Sequence, residues 1–139
     1  MANFETKIKR TIIDPKSGND KVLTETFFVE NAVSFGDAET RVQTHWNCEC
    51  DVIALAMSKV MDVINTPTDE EKLDLYVFRA ILVSTFEDED GNAKETKYPV
   101  LLWAKNVEDA MCIVSEYIKQ GFDDMTLTAI TKTRIVEVI

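Results

Sequence analysis

The chain has 139 residues, 45% of them hydrophobic, and a net charge of −10. That length suits one domain, or two small units sharing a core, and four glycines with three prolines argue against long flexible linkers. No run approaches the ~20 apolar residues of a membrane helix, and each half of the chain is −5, so the large basic footprint of a nonspecific nucleic-acid binder is missing.

The N-terminus, MANFETKIKR, lacks the apolar core of a signal peptide, which predicts a cytoplasmic protein with no membrane partner. Cys48, Cys50 and Cys112 are an odd number, so reduced thiols are expected rather than a disulfide framework.

Residues 4–13 alternate. Phe4, Thr6, Ile8, Arg10 and Ile12 share one face, and Glu5, Lys7, Lys9 and Thr11 the other, which predicts a strand with one wet face. A Pro/Ser/Gly/Asn turn at 14–20 leads to a second strand over about 22–31. Ser34 is placed to cap a helix running to about Trp46, with Asp37 three residues on as a variant of the capping box. The apolar positions Phe35, Ala38 and Val42 follow helical spacing.

Residues 75–104 repeat the opening. Two runs rich in β-branched and aromatic residues flank the acidic turn at Asp88, Glu89, Asp90, Gly91 and Asn92. Gly18-Asn19 aligns with Gly91-Asn92. Asn106 caps a helix over about 107–120, with Glu108 and Asp109 in its first turn and Gly121 at its end. Residues 51–64 are ambiguous alone, since Ala, Leu and Met favour helix. Within them 54–64 align with 129–139, where Thr, Ile and Val dominate, so both stretches are predicted as strands, over 51–64 and about 124–138.

The expected fold class is therefore α+β: a tandem pseudo-repeat of two strand–strand–helix–strand units with a mostly antiparallel sheet and two covering helices. Residues 1–65 form the first unit, 66–74 a linker and 75–139 the second, in one compact domain. Thr68 and Glu71 in the linker would cap a single helical turn, or the segment is a solvated connection. The second copy is apolar on both faces at Tyr76-Val77-Phe78 and Val100-Leu101-Leu102-Trp103. One face meets a helix. The other must meet the first copy, another subunit or a partner.

Residues 24–41 (TETFFVENAVSFGDAETR) and 130–138 (ITKTRIVEV), within this order of elements, resemble a domain of unknown function found widely in Bacteroidetes and in phages that infect them. The resemblance covers nearly the whole chain and brings no catalytic residue with it. It implies a small phage or phage-related accessory protein.

Residues that bear chemistry are sparse. His45, Cys48 and Cys50 form the one metal-like cluster, but paired zinc cysteines are usually separated by two or more residues, and Cys48 and Cys50 by one. Cys112 reads as a small hydrophobe beside the stripe of Val107, Ala110, Met111 and Val114. His45, the single histidine, reads as a helix-end residue with a capping or packing role. There is no nucleophile-elbow or phosphate-cradling glycine pattern. The carboxylates at 88–90, 69–71 and 123–124 fall where solvated turn residues belong. No enzymatic activity, metal or cofactor is expected.

The expected activity is non-enzymatic binding of a host protein or nucleotide signal by a small acidic accessory protein, as a monomer or homodimer. A role against host defence follows from the phage resemblance. The alternative is a single-stranded nucleic-acid-binding accessory protein of replication. Lys59 and Arg134 would be equivalent cations in the two last strands, with Lys132 on the face of Arg134, and Trp46 and Trp103 would stack on bases if exposed.

Overall fold

A long hairpin opens each half of the chain, and its turn chemistry explains why. In the first, Ala2–Ile13 (β1) pairs antiparallel with Asp20–Ala32 (β2), in register from Phe4 opposite Val29 to Ile13 opposite Asp20. The Asp14 carboxylate accepts from the Lys16 N–H at 2.9 Å, the Asp14 N–H donates to the Asn19 carbonyl, and Gly18 takes φ 72°, which a side chain would resist. In the second, Tyr76–Glu87 (β5) pairs with Ala93–Ala104 (β6). Here one Asp88 oxygen accepts from the N–H groups of Asp90 and Asn92, and Gly91 sits at φ 80°. The acidic turn thus has a structural use for its first carboxylate.

This computed structural model describes residues 1–47, 49–121 and 124–139. Over these described residues the fold is α+β, with two helices and two mostly antiparallel four-stranded sheets. The helices are Phe35–His45 (α1) and Val107–Lys119 (α2). Their N-caps are the expected ones. The Ser34 hydroxyl accepts from the Asp37 N–H, and the Asn106 side chain from the Asp109 N–H. In return Asp37 and Asp109 accept from the N–H groups of Val33 and Lys105.

The stretches read as single last strands are each broken in two. Residues 51–64 hold Asp51–Met57 (β3) and Asp62–Val63 (β4); residues 124–138 hold Met125–Lys132 (β7) and Ile135–Val138 (β8). The order in one sheet is β3-β1-β2-β8 and in the other β4-β6-β5-β7. Each half therefore gives its final short strand to the other half's sheet, where it lies parallel to its neighbour. The compact units are residues 1–59 with 134–139, and residues 60–133.

The first unit buries Phe4, Ile8, Phe27, Val29 and Ala32 beneath Ala38 and Val42 of α1. The second buries Phe78, Ala80, Leu82, Val100, Leu102 and Ala104 beneath Ala110 and Val114 of α2. Alternation along β6 and β5 puts Leu101, Trp103 and Val77 on the opposite face, and these are buried too, as the two-sided apolar runs imply. On α2, however, Val107, Met111 and Cys112 are exposed, so Cys112 is not part of the packed stripe. Among the described residues the polar exception in the core is Thr6. It is fully buried on the inner face of β1, opposite Phe27.

The borrowed strands are anchored by side chains. The Arg41 guanidinium donates to the carbonyls of Glu30 (2.8 Å) and Ile139 (3.0 Å), fixing the end of β8. The Asn65 amide pairs with both backbone groups of Trp103, at 2.8 and 2.9 Å, and extends the short β4. Thr68 and Glu71 do cap a single 3-10 turn, Glu71–Asp74.

Candidate functional site

The site starts from a mismatch in strand length. The β1–β3 ladder ends at Lys9 opposite Asp51, whereas β1 runs on to Ile13 beside β2. Trp46 closes α1, Asn47 takes φ 51°, and the Glu49 N–H donates to the Trp46 carbonyl at 2.9 Å. A groove of about 480 Å³ opens in the gap, lined by Lys9, Arg10, Thr11, Val22, Glu49, Cys50 and Asp51.

Arg10 is the ordered element of this groove. Its position in the strand directs it to the inner, helix-covered face, where a charge needs a partner. Its guanidinium pairs with the Glu25 carboxylate and lies 4.1 Å from the centre of the Trp46 ring. Trp46 in turn packs against Phe27, with ring centres 6.0 Å apart, and edge-on to His45 at 5.1 Å. His45 has the packing place that its helix-end position suggests. The Trp46 indole N–H is buried without a hydrogen-bond partner among the described residues.

The groove carries both signs of charge. Lys9 faces Asp51 across the ladder, Arg10 is paired with Glu25, and Glu49 has no ion-pair partner among the described residues. Cys50 is buried at the groove's floor and packs with the first core. Among the described residues no group of three His, Cys, Asp or Glu side chains is placed to hold a metal. The expected reading of Cys48 and Asp123 lies outside the described residues.

A second, smaller groove of about 350 Å³ lies along α2, lined by Ile64, Cys112, Ile113, Glu116, Tyr117 and Gln120. The Tyr117 hydroxyl donates to Asp62 at 2.8 Å. Burial, and then hydrogen bonding to Asp62 and Tyr98, push its pKa well above that of free tyrosine.

The residues singled out from sequence fall in different places. Trp46 borders the first groove through Arg10. Lys59 and Arg134 are exposed, but each lies in the break between two strands rather than within one. Lys132 ends β7, with its ammonium 3.7 Å from the centre of the Tyr76 ring, and shares no strand face with Arg134 because the ladder stops between them. Trp103 is 4% exposed, with Lys72 5.2 Å from its ring centre, so its faces are closed to a base. Sequence reasoning missed Arg10, Glu25 and Glu49 as a group. The signal was Arg10 itself, a charge on the inward face of an alternating strand.

The family model described as a domain of unknown function (DUF4494) matches residues 2–139. No curated protein matches the chain.

Proposed function

We propose that this chain, which belongs to the DUF4494 family of domains of unknown function, is a small non-enzymatic binding protein that captures a host protein through the groove beside Arg10. The observation that carries the reading is the groove's mixed charge. It offers Lys9, Glu49 and Asp51 around an arginine already held by Glu25 and Trp46. A preorganised groove of both signs matches a polypeptide segment better than a polyanion. A nucleotide signal is the weaker ligand, because the Trp46 face nearest the groove is covered by Arg10. The phage resemblance extends the proposal to a phage-borne accessory protein of the bacterial cytoplasm that blunts a host defence. The net charge of −10 fits a protein that avoids nucleic acid.

The test is capture from bacterial lysate by the wild-type chain and by Lys9→Glu and Glu49→Lys, both at exposed positions. A protein retained by the wild type and lost from the variants supports the reading. No retained protein, or equal retention by all three, refutes it.

The second reading is single-stranded nucleic-acid binding, supported by the exposure of Lys59, Lys132 and Arg134. It predicts saturable, salt-weakened binding of an oligonucleotide, diminished by Lys132→Ala or Arg134→Ala.

A further inference from the structure

Where β3 stops, β1 is itself a sheet edge. Residues 10–13 pair with β2 on one side, and no backbone hydrogen bond joins them to another described residue on the other. An unpaired edge is a template for another strand. The groove follows this edge as far as Thr11, with the exposed Val22 (61%) in its lining, and the exposed Ile13 (70%) ends the strand beyond it. We propose that the groove takes an extended peptide segment, which adds to residues 10–13 of β1 as an antiparallel strand in line with β3. This rests on the reading of the chain as a protein-binding module.

The ladder fixes the direction. β3 runs antiparallel to β1, so a strand continuing its line presents its C-terminal end to residues 49–51. The charges there choose the side chain. Arg10 is paired with Glu25, whereas neither Glu49 nor Asp51 is in an ion pair among the described residues, so two carboxylates stand at this end beside Lys9. The occupant is therefore a short strand with apolar β-branched residues for Val22 and Ile13 and a Lys or Arg at its C-terminal end. Backbone pairing supplies affinity that depends little on sequence, and the terminal cation sets direction and specificity.

The experiment is amide NMR of the full chain titrated with the blocked peptide Thr-Val-Thr-Val-Lys. Two control peptides accompany it: one ending in Glu, and one N-methylated at alternate backbone nitrogens. The expected result is shifts confined to residues 9–13, 22 and 49–51. Binding should weaken at least tenfold for the Glu peptide and be abolished by N-methylation. In Glu49→Lys the preference for Lys over Glu should reverse. Absent shifts, shifts elsewhere, or shifts that survive N-methylation would overturn strand addition. Groove-dependent capture of a host protein with no peptide shifts would sink this inference and leave the binding function standing. Peptide shifts without host capture would do the opposite.

Discussion

Thr6 gives the sharpest test of the packing. It is fully buried on the inner face of β1 between Phe4 and Ile8, and its hydroxyl has no hydrogen-bond partner among the described residues. An unsatisfied buried hydroxyl costs about 1–3 kcal/mol. Thr6→Val keeps the shape, removes that cost and adds one buried methyl. Allowing for strain where a methyl replaces a smaller oxygen, the net gain should be about 1–2 kcal/mol. For a chain of this size that raises the Tm by roughly 3–6 °C. Ala80 occupies the corresponding place in the second sheet, between Phe78 and Leu82 and opposite Val100. Ala80→Thr should lose about 1–3 kcal/mol through the same hydroxyl in reverse and through overpacking. Urea unfolding at constant m separates stability from changes in the unfolded state. If Thr6→Val loses more than about 1 kcal/mol at unchanged m, the hydroxyl is bonded in solution and the argument fails.

Three further outcomes follow from the anchors of the fold. Arg41→Ala should cost about 2–3 kcal/mol, since it strips two carbonyls of a charged donor, and Arg41→Lys should not restore it. Hydrogen exchange at the Glu30 and Ile139 amides, which pair β2 with the tail, should accelerate. Asn65→Leu should destabilise the second unit by roughly 2 kcal/mol, because both Trp103 backbone groups lose their partner; chemical denaturation checks this. Tyr117 has a raised pKa, so its neutral form is favoured by the fold. The stability this contributes is present below about pH 10, the unfolded value, and is lost as pH rises through the folded one. Tyr117→Phe should be less stable at neutral pH and lose less stability between pH 9 and 11, as measured by urea midpoints.

The local chemistry of the fold was legible in the sequence. Alternation gave the inner face of β1, turn residues gave both hairpins, and Ser34 and Asn106 gave the helix starts. These signals work because each is decided within a few residues. The exchange of β4 and β8 was hidden for the complementary reason. Neither 51–64 nor 124–138 carries a breaker where its strand stops, since the breaks at 58–61 and 133–134 contain no glycine or proline. Only the destination of the final strands explains them, and that is a long-range property. On α2 the helix–sheet contact is filled by Ala110 and Val114 with Ile113, Tyr117 and Ile118 packed beside them, which leaves Val107 and Met111 exposed although they fall at the stripe's spacing, and Cys112 exposed beside it. The groove was legible only as one anomaly, the inward charge of Arg10. Its partner Glu25 is fifteen residues away in sequence and is brought near by the hairpin.

The most direct test of the binding function is the affinity of the purified captured partner for the wild type and for Glu49→Lys. Glu49→Lys should lose about tenfold or more, equivalent to about 1.4 kcal/mol, with Lys9→Glu also weakened. Affinities within twofold of wild type for both variants would contradict it, and would move the partner's binding surface away from the edge of β1.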